Sequence, residues 1–397
     1  MNSSHPPDTT GPQASAMRVM IQQPALPRYR VPVFQEFARR PGIDLTVLYG
    51  DRSSSPPNVE DMPFNAQCVH LQEVSIGRHP VMWHWPQWRG GARRACDVLV
   101  LSWDVHYASL VPGLLRAKSN GVRTVLWGHG YSKCEAGWRS RVRSRIARLA
   151  DALLFYNHTA AEQYLDAGFD PGRVFVGLNA MDQTPLQNAR QPWLAEPQKI
   201  EAFRRENNLG DGPIVLFVSR LEPANRLGLL IDALPGLVAR VPGIQCVIIG
   251  KGEPELTNLR RHADERGVAG HVRFPGPIYD ENELAPWFLA ADVFCYPANI
   301  GLSILHAFGY GLPVVTSDHL ESQNPEIEAL RDGENGLLYR DNDSASLGDT
   351  LARLIEDHGL RQCLSEEACR TATQRFTLGN MVDGMEAAIR RAADLTA

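Results

Sequence analysis

Apolar residues along this chain fall into two patterns that alternate. Short runs rich in Val, Leu, Ile and aromatic residues predict strands at Arg18–Gln22, Leu45–Tyr49, Val98–Ser102, Thr124–Gly128, Ala152–Tyr156 and Val174–Gly177. Between them, Val31–Arg40 and Thr159–Ala167 place apolar positions three and four apart, the period of a helix with one buried face. The second half repeats the scheme. Ile214–Ser219, Gln245–Gly250, Val272–Pro275, Asp292–Cys295, Val314–Thr316 and Leu337–Tyr339 read as strands, and Leu227–Arg240, Glu253–Gly267, Glu281–Ala290 and Ser346–Asp357 as helices. Strands that are apolar throughout and alternate with helices predict parallel sheets covered on both faces.

The stretch Asn179–Lys199 carries three prolines and no clean period, so it reads as the connection between two domains. The expected division is a disordered leader over 1–16, a first domain over 17–185, a linker over 186–200 and a second domain over 201–375. An amphipathic helix over 376–397 is expected to pack across the junction. Open parallel sheets bind ligands beyond the carboxyl ends of their strands, so two such domains would meet at a cleft.

Composition narrows the class. With 44% hydrophobic and 21% charged residues among 397, the chain can bury two cores, and no apolar run approaches the length of a membrane-spanning helix. Residues 1–200 hold 22 Lys+Arg and 16 Asp+Glu, a net of +6; the remainder hold 18 and 29, a net of −11, and the two sum to −5. The first domain is therefore the one suited to an anionic partner or surface. Seven scattered cysteines without a C-x-x-C pair argue against a disulfide framework or zinc site and fit a reducing cytoplasm.

The most informative stretch is Ala291–Gly336. A strand ends in Tyr-Pro, Gly301-Leu302-Ser303 opens an apolar helix, Gly311-Leu312-Pro313 breaks it, and a second strand follows. Glycine at a strand-to-helix turn lets backbone approach a ligand, and the first amides of the helix favour an anion such as a diphosphate. This stretch resembles the donor-binding region of retaining GT-B glycosyltransferases of family 4. Leu216–Leu234, Val247–Glu253 (VIIGKGE) and Val272–Ile278 (VRFPGPI) match further landmarks of that family, in order. The resemblance implies an α/β protein of GT-B fold, two doubly wound, Rossmann-like parallel-sheet domains facing a central cleft. It also implies a nucleotide-sugar donor in the second domain.

Two departures stand out. Of the family's two glutamates eight apart, the second falls on His306 and the first, near Ala298-Asn299, is missing. The family lysine falls on Asn225, with Arg226 beside it. The pattern with His in place of Glu resembles a divergent group of bacterial surface-polysaccharide transferases. On that resemblance the donor residues are Arg220, Arg226, Gly252, Gly276, Pro277, Ile278, Gly301, Leu302, Ser303, His306 and Glu326, with His129, Arg220 and His306 nearest the chemistry. Arginine forks and backbone amides would neutralise the departing diphosphate. Each has an ordinary alternative: a surface ion pair for Arg220, a core histidine for His306, a solvated helix start for Arg226, a cap for Glu326.

The first domain would bind the acceptor. His129 and Asp104 each follow a strand, and Arg28 and Arg30 follow the first one, where they would meet a phosphorylated acceptor. Asp341-Asn342-Asp343 has the D-x-D form of metal-binding transferases but precedes a helix, so it reads as a cap; no metal and no other cofactor is expected. Trp83, Trp85 and Trp88 beside arginines, and the run Trp138–Arg148, suggest peripheral contact with a membrane at the inner face of the cell. The expected function is transfer of a sugar from a nucleotide sugar to a glycan or lipid-linked acceptor, with retention and without nucleic acid. Two alternatives share the architecture: a nucleotide-sugar 2-epimerase and a catalytically silent subunit that partners an active transferase.

Overall fold

A computed structural model describes residues 16–51, 62–76, 79–104, 106–131 and 137–395. The leader expected over 1–16 lies outside these apart from its last residue. In the first half the strands are β1 (Met17–Gln23), β2 (Ile43–Tyr49), β3 (Asn65–Cys68), β4 (Gln72–Ile76), β5 (His79–Trp83), β6 (Val98–Ser102), β7 (Arg123–Gly128), β8 (Ala152–Phe155) and β9 (Val174–Val176). Seven of them form one sheet in the order β3-β2-β1-β6-β7-β8-β9, with every pairing parallel. Strands β4 and β5 form a separate antiparallel hairpin. Neither β3 nor the hairpin was expected, because their sequences are polar or Pro-containing and lack a long apolar run.

The second half contributes β10 (Ile214–Val218), β11 (Gln245–Ile249), β12 (Val272–Gly276), β13 (Val293–Cys295), β14 (Val314–Ser317) and β15 (Gly336–Tyr339). They form a second parallel sheet, β12-β11-β10-β13-β14-β15. The fold is thus α/β of the GT-B kind, with two doubly wound sheets. Alternation within strands supplies both faces of the first sheet. Val98 and Val100 enter one core cluster, whereas Leu99 and Leu101 enter the other.

The stretch read as an irregular linker is largely helical. Thr184–Leu194 forms a helix with Pro185 in its first turn, where no backbone N–H is needed, and Pro192 further along. Leu186 and Ala189 are buried in the core of the second domain, and Arg190 Nη1 donates to the Gly309 carbonyl at 3.0 Å. The chain therefore joins the second domain shortly after Ala180.

The last helix, Leu378–Asp394, runs the other way. Its buried stripe, Met381, Val382, Met385, Ala388, Ile389 and Ala392, belongs to the core of the first domain, although the helix follows the second domain in sequence. Gly384 makes this docking close: a Cβ there would lie 2.0 Å from the carbonyl oxygen of Val176 in β9. Gly384→Ala should push the helix off the sheet edge. Overpacking of this kind costs roughly 1–3 kcal/mol, and thermal unfolding should show it as a lower midpoint than wild type.

Candidate active site

In a doubly wound sheet the strand order reverses at one place, and the loops leaving the two strands there diverge, opening a crevice. The first sheet reverses between β1 and β6, the second between β10 and β13. A cavity lies at each of these points.

The cavity of the second domain, about 500 Å3, is lined by Ser219, Arg220, Glu222 and Asn225 after β10. Tyr296, Asn299, Gly301, Leu302, Ser303 and His306 after β13, and Asn324, Pro325 and Glu326, complete that side. Tyr29, His129 and Met181 close it from across the cleft. A polar net holds the loop after β13. Gln323, buried, accepts from the Ile300 N–H at 2.8 Å, and Asn324 Nδ2 donates to the Asn299 carbonyl at 2.9 Å. Asn299 sits at φ 63°, a left-handed conformation that asparagine tolerates better than most residues. Gly301 does not have positive φ. Its missing side chain instead leaves the cavity floor low, with Asn324 Nδ2 3.4 Å and Glu326 Oε2 3.7 Å from where a Cβ would stand.

Arg220 reaches into open space, with its side chain 82% exposed and its Nη1 2.9 Å from Glu222 Oε1. Asn225, at the position of the family lysine, is buried and donates to the Arg220 carbonyl at 2.7 Å. Its amide therefore shapes the arginine's backbone instead of supplying charge. Arg226 points elsewhere. Its Nη1 donates to Asp341 Oδ1 at 2.9 Å and to Asn342 Oδ1 at 3.0 Å, and it does not line the cavity. Asp341 also accepts from Ser317 Oγ at 2.6 Å, and Asp343 caps the helix Ser344–Glu356 by accepting from the Ser346 N–H. Both carboxylates of the D-x-D triplet are thus engaged within the protein.

His306 lines the cavity but is not loose. Its Nε2 lies 2.9 Å from Glu281 Oε1, and Tyr310 Oη donates to the same oxygen at 2.6 Å. Phe288 stacks on the imidazole at 4.6 Å and on Tyr310 at 4.7 Å between ring centres. Burial pushes Glu281 up, but the hydrogen bonds and charge of His306 and the hydrogen bond from Tyr310 outweigh it, leaving the carboxyl below its ordinary value. Glu281 was expected only as the first residue of a helix; its role depends on Tyr310 and His306 coming within reach from another element.

Gly252, Gly276, Pro277 and Ile278 lie outside both cavities. Gly252 permits close loop packing, since a Cβ there would lie 2.2 Å from the Leu221 carbonyl oxygen. Glu326 lines the cavity of the second domain and is buried; Asn179 Nδ2 donates to its Oε1, and Asn179 Oδ1 accepts from Arg30 Nη1 at 2.9 Å. This chain of polar contacts crosses between the domains.

The second cavity, about 480 Å3, lies wholly in the first domain. Asp104 and His129 line it, and Tyr29 and His129 are shared with the first cavity, so the two adjoin there. Asp104 Oδ1 accepts from the backbone N–H of His106 at 2.9 Å and lies 2.7 Å from its Nδ1. Arg28 is exposed and lines neither cavity, whereas Tyr29 and the buried Arg30 do. Arg143 also lines it. That residue was read only as part of a basic run; its place one helical turn before the buried Ala147 is the signal for its inward position. The Trp83, Trp85 and Trp88 side chains are half-buried and pack together, with ring centres of Trp83 and Trp85 5.5 Å apart. Among the described residues no helix is long and apolar enough to cross a membrane, and no cluster of His, Cys, Asp and Glu suits a metal.

Residues 199–371 match the family described as Glycosyl transferases group 1. A phosphatidyl-myo-inositol mannosyltransferase of Mycobacterium leprae is 37% identical over 156 residues, 38% of this chain and 39% of the relative. A GDP-mannose-dependent alpha-(1-6)-phosphatidylinositol monomannoside mannosyltransferase of Mycolicibacterium smegmatis is 31% identical over 260 residues, 60% of this chain and 64% of the relative. The chain thus spans less than two thirds of the length of these curated relatives. The crystal structure of Anabaena Alr3699/HepE in complex with UDP superposes with a TM-score of 0.70 at 19% identity, over 93% of this chain and 98% of that one. At that identity the likeness concerns the fold.

The Glu281 contacts carry a pH signature. A carboxyl held below its unfolded value near ~4.3 stabilises the fold fully above that value and loses the contribution as pH falls through the lower folded value. The Tm difference between wild type and Glu281→Gln should therefore be widest above about pH 5 and shrink as the solution is acidified further.

Proposed function

We propose that this chain, whose residues 199–371 form a glycosyl transferases group 1 domain, moves a sugar from a nucleotide-sugar donor to a hydroxyl of an acceptor seated in the first domain. One observation carries the reading: the two switch-point cavities, one in each domain, adjoin at Tyr29 and His129. A donor in one and an acceptor in the other would have their reacting ends at that seam.

In this reading Arg220 meets the diphosphate. Its exposed fork needs only to exchange Glu222 for phosphate oxygens, and arginine suits bidentate contact. The amides of Gly301–Ser303 add donors; the helix they open is only seven residues long, so local N–H groups matter more than a macrodipole. His306, oriented by Glu281, hydrogen-bonds the nucleotide ribose or a phosphate, and Glu326 borders the sugar. His129 stands at the seam, where it can donate to the leaving group or the sugar. As charge develops on the diphosphate, these preorganised donors stabilise it, and the departing phosphate accepts the acceptor's proton. Retention follows from such a front-face route, in which no side-chain nucleophile takes part. The acceptor is a glycan or a lipid-linked glycan, and the Trp83–Trp88 cluster is the surface through which the first domain would approach a membrane.

A second reading has one observation in its favour. The side chain replacing the family lysine, Asn225, bonds the protein's own backbone, as expected of a chain that binds nucleotide without turnover. Titration calorimetry with UDP and GDP, followed by assay of nucleotide release from UDP- and GDP-sugars, distinguishes the two. Binding with release supports the transferase, binding without release supports the silent subunit, and no binding ends both. Release accompanied by epimerised sugar, with no acceptor required, would mark a 2-epimerase.

Arg220→Ala should weaken the nucleoside diphosphate about tenfold or more, since a hydrogen-bonded charge pair contributes about 1.5–3 kcal/mol. An unchanged Kd would remove Arg220 from the donor site. Transfer should also persist in excess EDTA, because the phosphate partners named here are a guanidinium and backbone amides; activity restored only by Mn²⁺ or Mg²⁺ would show that a metal carries part of the charge.

A further inference from the structure

The first sheet has a further cavity, about 340 Å3, at the amino ends of β7, β8 and β9, away from the cleft. Lys118, Arg123, Arg148 and Arg173 line it, and the carboxylate among its lining residues is Asp151. Two of the cations hold the protein together. Arg123 Nη1 donates to Asp151 Oδ1 at 3.1 Å and Nη2 to the Leu395 carbonyl, yet its Nε is buried without a partner. Arg173 Nε donates to the Asp151 carbonyl at 3.0 Å and Nη2 to the Ala150 carbonyl. The other two are exposed and uncommitted. Neither the Lys118 ammonium nor the Arg148 guanidinium makes a hydrogen bond or ion pair among the described residues; Arg148 lies 4.7 Å from the ring centre of Phe169. Asp151 is already engaged, since its carboxylate also accepts from the Thr124 N–H at 2.8 Å and from Thr124 Oγ1 at 3.1 Å.

An ordinary role for such cations is to face the carbonyls that a helix leaves open at its end. Three helices finish at this cavity: Leu110–Ser119, with Lys118 in its last turn; Gly137–Ala147, followed by Arg148; and Leu378–Asp394, followed by Leu395. Each end is worth about half a negative charge. With Asp151 that makes about two and a half negative charges against four positive ones. The surplus of about one and a half is the charge of a phosphate monoester near neutral pH. The buried Nε of Arg123 points the same way, because leaving a buried donor unmade costs more than an ordinary hydrogen bond gains.

We propose that this cavity binds a phosphate group, at a site separate from those of donor and acceptor. Such a site would exist whether or not the chain transfers sugar. Lys118 and Arg148 bring the charge that no protein group takes up, and they reach the cavity from two different helices. Arg123 and Arg173, already fixed by backbone carbonyls, form its rigid part. Guanidinium forks bond phosphate oxygens in pairs, and the ammonium adds a compact charge with three donors. The volume of about 340 Å3 lies in the range of small-molecule sites. Because Arg123 also holds the Leu395 carbonyl, the bound phosphate would brace the end of the helix that returns from the second domain. The phosphate can belong to a soluble ester or to a lipid headgroup; the chemistry at the cations is the same.

The test is ³¹P line broadening of inorganic phosphate by the full chain, titrated at constant ionic strength. Wild type should broaden the resonance. Lys118→Gln and Arg148→Gln should each weaken binding about fivefold, the upper range for one exposed charge, and the double variant should lose more than either. Both side chains are exposed, so these variants should keep the wild-type melting curve. Arg141→Gln, which removes an exposed charge from the helix preceding Arg148, and Arg220→Ala should retain the broadening. No broadening by wild type overturns the site. Loss in Arg141→Gln equal to that in Arg148→Gln overturns it too, since only the general field of a basic surface would then be acting. Loss in Arg220→Ala with retention in the double variant puts the phosphate in the cavity of the second domain and also overturns it, leaving the donor reading intact. Sedimentation with phosphatidylcholine vesicles, with and without phosphatidic acid, separates the sources. Association that needs phosphatidic acid, is lost in the double variant and is displaced by inorganic phosphate assigns a lipid headgroup. Phosphate binding in solution without such association assigns a soluble ester.

Discussion

Everything in the cleft depends on a constraint of parallel sheets. A strand in such a sheet must hand the chain to a crossover, and where successive crossovers go to opposite faces nothing fills the gap between their starting loops. Here the gaps fall between β1 and β6 and between β10 and β13. These four loops supply much of the cavity lining, Tyr29 and Arg30, Trp103 and Asp104, Ser219 to Asn225 and Tyr296 to Ser303, and His129, His306 and Glu326 join them from neighbouring elements. The sheets themselves are apolar and buried, which makes them stiff supports for exposed loops.

Two open crevices become one site only if the domains keep their carboxyl ends together. Three contacts serve that end. The last helix returns from the second domain to the core of the first, contributing six buried apolar residues from Met381 to Ala392. The short segment Pro325–Ala329 reaches across with two carboxylates. Glu326 takes the Asn179–Arg30 chain, and Glu328 accepts from the His158 N–H at 2.7 Å at the start of the helix His158–Asp166. A carboxylate there meets free amides and the positive end of the helix. Because Glu326 also lines the cavity of the second domain, the same segment borders that cavity and holds the facing domain.

Position 306 shows how a local departure is absorbed. A histidine on an apolar seven-residue helix would be costly if unsatisfied. Glu281 and Phe288, both from the helix Glu281–Ala290, supply an acceptor and a stacking face, and Tyr310 shares the acceptor. The histidine is therefore at once a satisfied, half-buried residue and part of the cavity wall, so the two roles weighed for it are not exclusive. Arg226 went the other way: a short ion pair with Asp341 holds it away from the cavity.

The sequence alone determined the architecture, because strand and helix periods are local properties and each run of β-branched and aromatic residues had few alternatives. Val98–Ser102, Leu227–Arg240 and Glu281–Ala290 were legible to the residue. It also located the loops that line the cleft, since Gly301-Leu302-Ser303, Arg220 and His129 all follow recognisable strands. Only the tertiary structure decided which side chains those loops turn inward. Asn225 and Arg226 are neighbours, yet one is buried beneath Arg220 and the other pairs with a residue 115 positions away. Arg28 and Arg30 are two apart in a tight turn, and one faces solvent while the other faces Trp127. Arg143 looks like its neighbours in a basic run, and its burial depends on where that helix lies against the sheet. The physical reason is common to all three. Backbone preference is set within a few residues, whereas burial and charge pairing are set by partners that meet only when distant segments pack.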